Sequence, residues 1–109
     1  MPKIWFDDNR KPPDDSWIWA QTSYDCFVIL SRHMTTPAPI DEISFDHDLG
    51  DQDRSIHVAN YIEHLAKHDA HPRIKWSIHS QNPVGRDQLL MTMQKCDDFW
   101  DNAEKVGVK

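Results

Sequence analysis

Residues 44–53 read SFDHDLGDQD. An apolar run stops against four aspartates, a histidine and a glycine within eight positions. Carboxylates this close repel one another, and burying any of them is costly unless a cation or hydrogen bonds compensate. The stretch divides into a strand end (Ser44, Phe45), a charged rim (Asp46, His47, Asp48), a turn at Gly50 and a helix start at Asp51 to Asp53. Acidic side chains at Asp51 and Asp53 favour a helix N-terminus. A strand that breaks into a polar turn and then a helix is the unit of an α/β fold.

The neighbouring sequence repeats that unit. Asp41 to Phe45 (DEISF) is the strand, and Asp53 or Ser55 caps a helix running to about His68. Its stripe of Val58, Ile62 and Leu65, with Ala59 and Ala66 beside it, suits a helix packed on a sheet. Earlier in the chain, Lys3 to Phe6 is a compact apolar run ending at Asp7-Asp8, which predicts a strand covered on both faces. NRKPPDDS is turn chemistry, and Trp17 to Ala20 forms a second short strand. Thr22 or Ser23 can cap a helix through about Met34, with Phe27, Leu30 and Met34 at helical spacing. Pro37 and Pro39 keep it from continuing.

Arg73 to Ser80 alternates cleanly, with Ile74, Trp76 and Ile78 on one face and Lys75, Ser77 and His79 on the other. That pattern predicts a half-covered strand near a sheet edge. Asn82-Pro83 opens a third helix through Leu89, Leu90 and Met93, extended by the tail DDFWDNAEKVGVK with frayed ends. No fifth strand is evident. The order predicts a small, mainly parallel open α/β sheet with flanking helices and right-handed crossovers, one domain over residues 1–109.

Composition narrows the function. A formal charge of −6 argues against nonspecific nucleic-acid binding, which needs an excess of Lys and Arg. It leaves room for a small phosphorylated ligand held by a few basic groups or a metal. Cys26 and Cys96 read as two core thiols of a reducing compartment. No apolar leader and no run of membrane-spanning length is present, so a cytoplasmic location, with no membrane partner, is the default expectation. Oligomeric state stays open. The five tryptophans can supply much of the burial in so short a chain.

In open parallel sheets, ligands bind just beyond the carboxyl ends of the strands. Three strands here end in polar clusters: Asp7-Asp8-Asn9-Arg10, Asp46-His47-Asp48 and His79-Ser80-Gln81-Asn82. Carboxylates from different strand ends hold Mg²⁺ or Mn²⁺, and Asp8 and Asp46, assisted by Asp7 or Asp48, are the expected ligands. Alternatively, Asp7 and Asp48 only cap turns. His47 and His79 can serve as general base and general acid in phosphoester hydrolysis, or one of them orients a neighbour. Arg10 and Arg86 can clamp phosphate oxygens, or are solvated surface charges. Ser80, Asn82 and the helix opening near Gly85 offer hydroxyl, amide and backbone donors. A rival set, His57, His64 and His68, lies on one helix face with Tyr61 and reads as a solvated flank.

The blocks WFDDNRKPP, SFDHDLG and IHSQNPVG, in this order, resemble the receiver-like family of cyclic-phosphate processing domains, related to response-regulator receivers. The resemblance runs from Ile4 to about Met93. It implies a receiver/flavodoxin-like fold, truncated here at its C-terminal end. It also implies that Asp7 and Asp8 are the acidic metal pair, Asp46 the phosphoacceptor position and Ser80 the hydroxyl that senses a phosphoryl group. Two departures favour hydrolysis over a phosphorylation switch. Receivers carry a lysine after a fifth strand, which this chain lacks, and they do not ordinarily bring histidines to the rim. The expectation is a phosphoesterase acting on the cyclic phosphate of a nucleotide or RNA end, with divalent-metal assistance. A phosphoacceptor signalling module on Asp46 and a non-catalytic cyclic-nucleotide-binding protein are the alternatives.

Overall fold

The computed structural model describes residues 2–34, 36–46, 55–79 and 86–106. In chain order they form β1 (Lys3–Phe6), β2 (Trp17–Ala20), α1 (Ser23–Met34), β3 (Glu42–Phe45), α2 (Ser55–Lys67), β4 (Lys75–Ile78) and α3 (Arg86–Val106). Each boundary has a local cause. The Thr22 hydroxyl accepts the Asp25 N–H at 3.0 Å, so Thr22 is the residue that caps α1. After α2, Asp69 turns left-handed at φ 53°, with Asp69 N–H on the Ala66 carbonyl and Ala70 N–H on that of Leu65. That pair of bonds closes a Schellman motif.

The four strands form one sheet in the order β2-β1-β3-β4, with every pairing parallel. This is the small receiver/flavodoxin-like α/β architecture expected, and β4 does lie at an edge. It is shorter than its alternating sequence, because β3 is its partner and only Glu42 to Phe45 pair with it. For the same reason Asp41 stays outside β3 proper, although its carbonyl still accepts the Lys75 N–H at 2.9 Å.

Crossover handedness decides which face of the sheet is covered. The steps β2→β3 and β3→β4 run the same way across the sheet, so right-handed connections place α1 and α2 on one face. The core agrees: Ile4, Phe6, Ala20, Ile43 and Phe45 cluster with Cys26 and Leu30 of α1, Val58 and Ile62 of α2, and Leu89, Met93 and Trp100 of α3. Truncating one of the larger aliphatic members, such as Ile62→Ala, costs about 2–5 kcal/mol.

The step β1→β2 runs the other way, and its connector, residues 7–16, has two prolines and no helix. Among the described residues, the opposite face is therefore left to the connector and to its own side chains, and β1 is buried on one face and half-buried on the other, where its apolar run predicts cover on both. Lys3 and Trp5 remain half-buried. Lys3 Nζ sits 4.3 Å above the Trp17 ring, and Trp5 meets Trp17 edge-on at 5.7 Å. Of the five tryptophans only Trp100 is fully buried. Cys26 and Cys96 are buried free thiols, as expected. Among the described residues, no helix is long and apolar enough to cross a membrane.

Candidate functional site

Register brings the rim together. Phe6 is level with Phe45, and Phe45 with Ile78, so the next residues of three adjacent strands, Asp7, Asp46 and His79, end up side by side. The ladder continues one step past the strand ends to hold them there. Asp7 N–H donates to Ala20 at 3.0 Å, Asp46 N–H to Phe6 at 2.9 Å and His79 N–H to Phe45 at 2.9 Å. One ligand-type atom from each of Asp7, Asp46 and His79 falls within 4.8 Å of the others. The site lies between β1 and β3, where connections leave in opposite directions across the sheet.

Asp7 is completely buried. Its Oδ1 accepts the backbone N–H groups of Asn9 at 2.9 Å and Arg10 at 2.8 Å. Its Oδ2 faces His79 Nε2 at 2.9 Å and Arg10 Nε at 3.5 Å. Burial pushes this carboxyl up, but the Arg10 and Asn9 amides and His79 outweigh it and hold the group below its ordinary value. Asp7 is therefore the carboxylate around which the rim is built, and it combines both sequence readings, since it closes the β1 turn and also enters the acidic cluster.

His79 is fixed from three sides. Its Nδ1 lies 2.8 Å from Ser44 Oγ, and its Nε2 faces Asp7. Its ring stacks on Trp5 with centroids 3.9 Å apart and planes within 7°. Ser44 is itself buried and accepts the Ser77 hydroxyl at 3.1 Å. Trp5 in turn is anchored by its indole N–H on the Arg10 carbonyl at 2.9 Å, and Trp19 donates to the Asp7 carbonyl at 2.7 Å. None of Trp5, Trp19, Ser44 and Ser77 was expected in the site. The available signal was a serine set into each of the apolar strands EISF and KWSI, on the face that register shares with Trp5.

Asp46 is buried at the end of β3, and its carbonyl accepts the Ser55 hydroxyl at 2.7 Å, tying the rim to the start of α2. Asp8 is half-buried and lies outside the Asp7–Asp46–His79 triangle. Strand alternation gives the reason: Asp7 shares a face with Trp5, and the next residue turns away from it. Arg10 is exposed beside Asp7, whereas Arg86 is an exposed residue at the start of α3. His47, Asp48, Ser80 and Asn82, with the turn at Gly50 and the helix opening near Gly85, lie outside the described residues. At the end of α2 the rings of His64 and of His68, just beyond the helix, are 4.5 Å apart and exposed, in keeping with a solvated flank.

Two carboxylates and an imidazole at one point offer the donors that a divalent ion takes, or a proton-handling set for phosphate chemistry. No curated protein and no solved structure matches the chain significantly. The family model described as the cyclic-phosphate processing receiver domain matches residues 2–95, a span that contains β1 to β4 and every rim residue. With that match over most of its length and an acidic rim at the β1/β3 switch point, the chain belongs to the family of cyclic-phosphate processing receiver domains.

Proposed function

We propose that the protein is a phosphoesterase that opens the cyclic phosphate of a nucleotide or RNA end. One observation carries this reading: an imidazole and a buried carboxylate in contact at 2.9 Å, beside a second carboxylate, at the rim of a chain from this family. The two carboxylates alone would repel a phosphate. Arg10, beside Asp7 at 3.5 Å, supplies the positive charge that a phosphate needs, and His79 adds an imidazole for proton transfer.

In this mechanism Arg10 binds phosphate oxygens from the solvent side, with Ser80, Asn82 and Arg86 as the further donors the sequence offers. Water attacks phosphorus as the bond to one ribose oxygen breaks. His79 in its charged form gives its Nε2 proton to that oxygen, and His47 or Asp46 takes the proton of the attacking water. Asp7 holds His79 in line through the 2.9 Å contact at Nε2. The donor set also fits Mg²⁺ or Mn²⁺, which Asp7 and Asp46 would hold, with Asp8 and Asp48 as the further carboxylates the sequence offers. Such an ion would polarise a phosphoryl oxygen and acidify a bound water.

The deciding experiment is a screen of 2′,3′-cyclic, 3′,5′-cyclic and oligomeric cyclic nucleotides, each with and without EDTA. Multiple turnovers on one class support the enzyme. A stoichiometric acyl-phosphate on Asp46 after incubation with Mg²⁺ and a small phosphodonor supports the signalling module instead. Tight binding without product supports a sequestering protein.

A further inference from the structure

We infer that Ser44, Ser77 and Trp5 are positioning residues of the site, forming a cradle that sets the ring orientation and tautomer of His79. The inference rests on the hydrolytic reading for its kinetic consequence, but not for its structural content. The geometry is specific. Ser77 Oγ–H points to Ser44 Oγ at 3.1 Å, which turns the Ser44 proton toward His79 Nδ1 at 2.8 Å. With Nδ1 accepting, the neutral ring carries its proton on Nε2, where it meets the Asp7 carboxylate at 2.9 Å. The opposite neutral tautomer would set the bare Nε2 lone pair against a carboxylate oxygen.

Each member of the cradle does something that its neighbours cannot. Hydrogen bonds at the two nitrogens fix the ring's rotation, and the parallel Trp5 face fixes the plane in which it lies. A hydroxyl both donates and accepts, so Ser44 can serve His79 Nδ1 and the Ser77 hydroxyl at once. Polar residues in the middle of short apolar strands have here an assignable task.

The test combines NMR of the His79 ring with kinetics on the best cyclic phosphate. In alkaline buffer, wild-type His79 should show the Nε2-protonated pattern, with ring protons shifted upfield by Trp5. Ser44→Ala should lose that pattern and lower kcat by roughly 10–100-fold, the usual cost of removing a partner that orients a functional imidazole, with KM little changed. Ser44→Thr, which keeps the hydroxyl, should restore both. Ser77→Ala, at an exposed position, should move the same signals in the same direction by less. A wild-type ring protonated on Nδ1, or a Ser44→Ala protein with unchanged signals, overturns the cradle. Equal loss in the Ala and Thr variants does so too, because it would mean packing alone. If no cyclic phosphate is turned over, the hydrolytic reading fails, while the NMR comparison still decides the cradle.

Discussion

Asp7 and His79 are 72 residues apart in sequence, and their Oδ2 and Nε2 atoms are 2.9 Å apart in the fold. The contact requires two sheet pairings in register, β1 with β3 and β3 with β4, each carried one hydrogen bond past the strand ends. It joins the two strand ends that flank Asp46.

On the proposed function, Asp46→Asn should remove hydrolysis without removing the fold. The expected loss in kcat is on the order of 10²–10⁴, the range for a lost acid–base or phosphate-activating group. The midpoint of thermal unfolding should stay close to wild type, because the Asp46 backbone bonds to Phe6 and Ser55 are retained. Full activity in this variant would rule out Asp46 as a chemical residue.

Asp7 gives stability a pH dependence of definite sign. Its folded-state pKa lies below the ordinary 3.8, so its contribution is present above the unfolded value and is lost as pH falls through the folded one. In urea titrations, wild type should exceed Asp7→Asn in stability at neutral pH, and the gap should close in acid below that ordinary value. A gap independent of pH would contradict the ionised, hydrogen-bonded state of Asp7.

Arg73 clamps the far half of α3 to the segment that leads into β4. Its guanidinium reaches Asp97 at 3.3 Å and Glu104 at 3.3 Å, pairs with Asp101, and lies 5.9 Å over the Trp100 ring. All three acids are at least partly exposed, which limits each pair to a small net effect. Arg73→Ala should cost about 1–2 kcal/mol in total, from the network and the cation–π contact together. The cost should shrink in roughly 1 M salt, where the screening length is about 3 Å.

The thiols should be inert while the chain is folded. Burial pushes Cys96 up to about 12, and Cys26 is fully buried as well. Neither should react with a thiol reagent at neutral pH in native buffer, and both should react in denaturant. Rapid native labelling at either position would show that the α-helical layer opens readily there.

The sequence by itself determined the series of elements and the polar rim. Period-two and helical patterns are local, and prolines, Gly50 and the hydroxyl at Thr22 mark where they stop. Strand ends that run straight into Asp7, Asp46 and His79 could be read in the same way. Only the tertiary structure decided that Asp7, rather than Asp8, completes a triangle with Asp46 and His79. That choice depends on register and side-chain parity between strands far apart in sequence, where a one-residue slip would reverse every side chain. The uncovered face beside Trp5 was likewise hidden, because it follows from the order of strands and the hand of their connections. The tasks of Ser44 and Ser77 exist only once three strands place a hydroxyl, an imidazole and a carboxylate in one line.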